Sequence, residues 1–562
     1  MLDGREVFRH GVASFDPTAD AVLLWTRLSD GPTHCDWLIA RDPALRDVAA
    51  SGTATTGPDE DHTVTADATG LEPATTYWYR FETAGAVSPV GRTRTLPDGG
   101  VDRLRLGLVC CAHYAAAPLS VYRALADREV DLVVHLGDYI YNEGETDKRA
   151  PEPQHLTVSL DDYRTRIAQT RADPDCRFLH QRHPMTSIWD DHDLGDNAWS
   201  GGAKDHDPER HGPWGQRARA AAQARQEWLP ARLPDPGDPT KVWRSVRLGD
   251  LAELMLLDTR LAGRDLQAGE VEAKPLHDDD RSLLGDEQRA WLHERLQDPA
   301  RPWALVASGT VVNELDLPFP PVPGIGRLLP NGYAVIDGEI FHDDQWDGYP
   351  AERARLAGWM EERGRAGGRS MILSGDVHAS WAFQGPLSDG PDDGEPVAVE
   401  VTVPATSSVP MGRAHFAGWR AIDAMMRRMD EACFADVGER GYVIIEVTRD
   451  DVQAEWWFVD VLADDPGANA AMAAAFVTTR EGWPPRFDRV TAPRPDPPRP
   501  GLPEPLPARP GDLPELRHRH RRHLVRRTVQ TAALGTALLG LLLSVARRRP
   551  DGARHPVARL GH

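Results

Sequence analysis

Between residues 6 and 96, apolar and polar positions alternate in short runs: "AVLLWTRL", "CDWLIARD", "HTVTADAT", "YWYRFETA" and "VGRTRTL". Clusters of Asp, Gly and Pro separate them. A period of two bounded by turn formers predicts strands, and their close spacing predicts a small β-sandwich over residues 1–97. The stretch "DGGVD" (98–102) reads as a linker. From residue 104 the pattern changes. "LRLGLV" predicts a buried strand, "PLSVYRALADRE" a helix and "DLVVHL" a second buried strand. Further short apolar runs follow at "MTSIW", "LAELMLLD", "PWALVAS" and "SMILS", with helical patterns over 216–228 and 286–297. This succession predicts an α/β layered domain over 103–462. After residue 397 the strands "VAVEVTV", "GYVIIEV" and "QAEWWFV" become consecutive, so antiparallel members are expected in the sheet.

Periodicity is lost over 463–523. The segment "APRPDPPRPGLPEPLPARPGDLP" predicts an extended Pro-rich linker. Beyond it, "TVQTAALGTALLGLLLSVA" (528–546) is apolar and uncharged, between "RHRRHLVRR" and "ARRRP". A membrane span needs about 20 apolar residues. A single transmembrane helix is therefore expected over 524–549, with a basic tail over 550–562, anchoring the protein to a lipid bilayer. Basic flanks on both sides leave its orientation open. The start, "MLDGREVFRH", has no apolar core and does not read as a signal peptide.

Composition narrows the function classes. The chain has 562 residues, 41% of them hydrophobic, enough for a large core, and a net charge of −22. That charge disfavours nucleic acid as a partner, because phosphate backbones select basic surfaces. Five cysteines form no disulfide framework. Cys110 and Cys111 are adjacent and follow an apolar strand.

Four apolar strands end on residues able to bind metal. "LGLV" ends on Cys110-Cys111, and "VVHL" on Gly137-Asp138 with Tyr141 beyond. "TSIW" ends on Asp190-Asp191-His192-Asp193, and "MILS" on Gly375-Asp376-Val377-His378. In open α/β sheets, ligand sites lie beyond the carboxyl ends of the strands. If these strands are neighbours, a thiol, a phenol, an imidazole and several carboxylates meet. So much negative charge requires cations, and a shared carboxylate between two metals suits phosphoryl displacement. Phenolate and thiolate favour a strongly acidic metal such as iron(III), whereas carboxylates favour calcium, magnesium or manganese.

The order "CC", "GDYIY", "DDHD", "GDVH" resembles the PhoD-type alkaline phosphatases of the calcineurin-like metallophosphatase superfamily. "FRHGVASFDPTADAVLLWTRL", "LDDYRTRIAQTRADP", "LLGDEQRAWL" and "VPATSSVP" are also similar to family segments. The resemblance implies a four-layer αββα core behind an N-terminal fibronectin- or Ig-like β-sandwich. It implies phosphomonoesterase and phosphodiesterase activity on a phosphoester substrate. An iron(III) and calcium centre, with manganese or magnesium as substitutes, would activate water for in-line attack on phosphorus. By the same resemblance, Cys111 is the first ligand, Asp138 bridges the metals, and Tyr141 and His378 bind iron. Asp191 and Asp376 hold calcium, and His192 is the acid or the stabiliser of the transition state.

The chain departs from the family pattern at several points. Cys110 stands where Ser is common, so the two cysteines compete for one ligand role, and spacing selects Cys111. Phe15 stands where Gly is usual, and Asn142 replaces a common Glu. The family's export signal is not seen on this chain. The competing reading is a membrane-tethered, non-catalytic protein that binds a surface polymer and keeps a vestigial metal site.

Overall fold

The computed structural model of the protein describes residues 4–501 apart from 30, 145–148, 271, 299, 316–332, 337–338, 386, 388–393, 416–431, 464 and 499–500. Two large sheets lie face to face. The first has ten strands. At its centre the parallel strands Arg103–Val109, Leu132–Leu136 and Met185–Ile188 lie side by side. The second has seven strands, with Ala252–Leu256, Trp303–Ala307, Arg369–Ser374 and Val399–Thr402 running parallel.

Strand periodicity explains the layers. Leu104, Leu106 and Leu108 alternate with polar and small residues and pack into the apolar cluster between the sheets. Leu132, Val134 and Leu136 do the same from the next strand. Leu254, Leu305 and Met371 enter that cluster from the second sheet. Val133 and Val109 face the other way, into a cluster shared with residues of the helices Ser120–Ala126, Leu160–Ala172, Pro174–Arg182 and Trp214–Trp228. Ile372 and Val306 face the helices Gly285–Gln297 and Pro350–Arg365. The order of layers is helices, sheet, sheet, helices. An apolar face on each side of both sheets is what a buried parallel sheet demands.

The N-terminal region is not held apart from this core. Val12–Phe15 pairs in parallel with Met185–Ile188, and Ala21–Arg27 and Thr63–Thr69 continue the ten-stranded sheet. Strands His34–Ala40, Val48–Thr55 and Thr76–Thr83 form part of a separate five-stranded sheet. Together these strands enclose a cluster that includes Val22, Leu24, Ile39, Tyr79 and Phe81.

The sheet also runs on past residue 462. Ala471–Thr479 pairs with Asp451–Phe458, and Asp488–Val490 adds a further edge strand. The segment after it docks on the core. Asp496 bonds the buried Arg105 at 2.9 Å and Arg128 at 2.8 Å. Arg494 pairs with Glu446 at 3.1 Å and Asp451 at 2.8 Å.

The expected membrane-spanning C-terminal helix, and with it the membrane-anchored location and the bilayer as a partner, is corrected. Among the described residues no helix is long and apolar enough to cross a membrane. The longest, Pro350–Arg365, has 16 residues and buries one face while exposing another, short of the roughly 20 apolar residues a span needs. Residues 524–549 and the tail 550–562 lie outside the described residues, so the anchor rests on no structural observation.

Candidate metal centre

The four strand ends meet. The first three belong to adjacent strands of one sheet, and the fourth ends Arg369–Ser374 of the facing sheet. A lone parallel bridge between Cys110 and Ala405 ties the sheets together at this end. Cys110 turns its sulfur toward the carbonyls of Val403 and Pro404, at 3.4 and 3.7 Å. Cys111 turns the other way. Its Sγ, a carboxylate oxygen of Asp138 and a ring nitrogen of His378 lie within 4.8 Å of one another.

A second group shares Asp138. Oxygens of Asp138, Asp190, Asp191 and Asp376 also lie within 4.8 Å of one another, and a third group joins Asp138, Asp191 and His192. Tyr141 stands beside the first group, its Oη 2.8 Å from Nε2 of His378. The His378 Nδ1 faces the carbonyl of Val409 at 3.0 Å. A carbonyl only accepts, so Nδ1 carries the proton and Nε2 keeps its lone pair. The structure thus brings together all seven residues singled out from sequence: Cys111, Asp138, Tyr141, Asp191, His192, Asp376 and His378.

Backbone strain marks the same places. Cys111, Asp138, Asp376 and His378 have φ of 55°, 57°, 66° and 54°. Non-glycine residues rarely enter this left-handed region, and those that do cluster where side chains must be aimed. Gly137 makes the turn feasible. Its φ is 100°, and an added Cβ would lie 2.5 Å from the Asp190 Cβ.

The donors suit cations. Asp138 Oδ2, Asp190 Oδ2 and Asp191 Oδ1 are buried and have no hydrogen-bond partner among the described residues. Burial, then the charge of Asp191, pushes Asp138 well above the usual carboxylate range. Burial and Asp190 do the same to Asp376, and burial raises Asp190 to about 6 against the pull of Arg260. Burial also raises the Cys111 thiol and the Tyr141 phenol. Protein groups alone therefore do not sustain this set as anions, and bound cations would. The set is also sorted. Cys111 and His378, with Tyr141 beside them, share one group with Asp138, and Asp190, Asp191 and Asp376 share another.

Two contributors were given no role in the reading of the sequence. Asp190 was passed over for its neighbour Asp191, yet the tight turn Asp191–Asp193 brings both to the site. Arg260, to which sequence assigned no role, is fully buried behind the carboxylates. Its Nε lies 2.5 Å from Asp190 and its Nη1 2.9 Å from Asp344, while Nη2 is 3.7 Å from Asp191 and 3.8 Å from Asp376. No local pattern links residues so far apart in the chain.

The PhoD-like phosphatase family matches residues 106–456, and its N-terminal domain matches residues 2–97. The chain belongs to the PhoD-like phosphatase family. Alkaline phosphatase D of Bacillus subtilis (strain 168) is 34% identical over 406 residues, covering 67% of this chain and 65% of that relative. The chain thus matches just under two thirds of that relative's length. A solved structure of PhoD superposes with a TM-score of 0.74 at 27% identity, covering 93% of this chain and 99% of that one.

Proposed function

We propose that the protein is a metal-dependent phosphoric ester hydrolase, an alkaline phosphatase or phosphodiesterase acting on phosphomonoesters or phosphodiesters. The observation that carries this reading is Asp138, one carboxylate shared by a thiol–imidazole group and an all-carboxylate group. Such a shared residue suits a pair of cations at the spacing of two-metal hydrolases. Cys111, Tyr141, His378 and Asp138 would hold iron(III). Asp138, Asp191 and Asp376, with Asp190 beside them, would hold calcium, with manganese or magnesium as substitutes. Cations bound there supply Lewis acidity toward the phosphoryl oxygens and acidify the attacking water.

The chain's own residues supply the rest. His192 lies at the rim, half-buried, its ring stacked on Tyr141 at 4.3 Å. Its backbone N–H donates to Asp138 at 3.1 Å, fixing it over the shared carboxylate. Burial works against a charged imidazole here, but Asp191, Glu143 and Asp138 outweigh it and raise the ring's pKa well above the usual value. A protonated His192 can donate to the departing alkoxide or steady the equatorial oxygens. Arg260 clamps Asp190 and faces Asp191 and Asp376, which keeps the carboxylates converged.

The test is hydrolysis of bis(p-nitrophenyl) phosphate by the full chain before and after chelation, with iron and calcium returned separately and together. Activity lost to the chelator and restored by the metals is expected. Undiminished turnover by protein stripped of metal would overturn the proposal.

A further inference from the structure

Behind His192 lies a chain of polar groups that Lewis-acid chemistry does not use. Nδ1 of His192 is 2.8 Å from Oδ1 of Asn142. The Asn142 amide nitrogen donates to Asp205 Oδ2. Asp205 is forked by Arg217, with Nη1 to Oδ1 at 3.0 Å and Nη2 to Oδ2 at 3.3 Å. Arg217 Nε donates to the Tyr163 hydroxyl at 3.0 Å, and that hydroxyl donates to the Leu194 carbonyl. Asn142, Tyr163 and Arg217 are all buried. The packing is close: a Cβ at Gly195 would fall 3.0 Å from Asp205 Oδ1 and 3.2 Å from Arg217 Nη2.

Read from its far end, this chain leaves one arrangement of protons. Guanidinium only donates, so the forked Asp205 is a carboxylate and only accepts. Asn142 must therefore turn its NH₂ to Asp205 and its carbonyl oxygen to His192. An amide oxygen only accepts, so Nδ1 of His192 must carry a proton whatever the ring's charge. The proton exchanged in catalysis is then confined to Nε2. That atom lies 4.0 Å from Asp191 Oδ2, on the side of the converged carboxylates. Glu143 Oε1, the other acceptor near Nδ1, stands at 3.7 Å, outside hydrogen-bond reach.

We propose that Asn142, oriented by Asp205 and Arg217, is the positioning residue that fixes the tautomer of His192 so that Nε2 presents the proton to the leaving group. The inference rests on the phosphoesterase reading with His192 as the acid. It accounts for an amide at 142. An acidic side chain there would face Asp205 as a like charge.

The experiment compares a p-nitrophenyl phosphodiester, whose leaving group departs without a proton, with an alkyl phosphodiester, whose leaving group needs one. In metal-loaded full chain, Asn142→Ala is expected to lower kcat on the alkyl ester by roughly 10–100-fold, part of the 10²–10⁴-fold that a general acid supplies. On the aryl ester the loss should be about threefold or less, with KM and metal content unchanged; the lost buried hydrogen bonds should lower the thermal midpoint equally whichever ester is assayed. The exchange variant Asn142→Asp/Asp205→Asn keeps an acceptor toward His192 and a donor between the two positions. It should recover most of the alkyl rate, whereas Asn142→Asp alone should not. Equal losses on both esters, no loss on either, or no recovery in the exchange variant would overturn the proposal. Wild-type protein inert toward both esters would instead overturn the phosphoesterase reading itself.

Discussion

At the scale of single residues, the site is a set of costs that cations relieve. Asp138 is the clearest case, fully buried among like charges. Its folded pKa lies above the ordinary 3.8, so without metal its share of stability is present below that value and lost as pH rises. Asp138→Asn should therefore raise the thermal midpoint of chelated protein at pH 7, by about 2 °C or more, and lower that of metal-loaded protein. Differential scanning calorimetry of both forms checks the reversal, and one sign in both would count against a cation site. His135 follows the opposite rule. Burial, with Arg225 nearby, lowers it to about 3 from 6.5. The unfolded chain takes up this proton first, so stability is full above pH 6.5 and falls as pH drops toward 3. His135→Gln should flatten the acid limb of a denaturant-midpoint titration by up to about 1.4 kcal/mol per pH unit.

At the scale of elements, the site was legible where the chain writes it locally. Each apolar strand announces its own end, and each end carries its donors within five residues: Cys111, Asp138 with Tyr141, Asp191 with His192, Asp376 with His378. What stayed hidden is what strands cannot signal. Arg260 follows another strand and reaches Asp190 only through the tertiary fold. Asn142 stood out only as a departure from the family pattern, and its partners Asp205 and Arg217, from a loop and a helix, carry no signal. Asp191 was preferred to Asp190 on resemblance alone, and the turn after Ile188 brings both to the site. The strand Ala471–Thr479 was missed for a different reason. Its run "AMAAAFVTT" is rich in alanine, which has no strand preference, and only pairing with Asp451–Phe458 makes it a strand.

At the scale of the whole molecule, one end of the polar segment after residue 490 acts as a clasp on the first sheet. Asp496 is the partner of Arg105, whose side chain is 2% exposed, and of Arg128. Asp496 is 22% exposed and Arg105 keeps Glu446 at 3.5 Å, so the loss is that of charged hydrogen bonds, about 1.5–3 kcal/mol. Asp496→Ala should lower the midpoint of urea denaturation accordingly, and an unchanged midpoint would show the segment to be a passive tail. The two facing sheets serve the same end. They hold Asp376 and His378 on one sheet against Cys111, Asp138 and Asp191 on the other, so the centre forms only in the folded whole.

The most direct test of the account is the metal content of the purified full chain and of Asp138→Asn, measured by elemental analysis alongside phosphodiester turnover. The account predicts on the order of two cations per wild-type chain, an iron and a harder ion, with both the shared occupancy and the turnover lost in the variant. A variant that keeps the full metal complement and full turnover would contradict it.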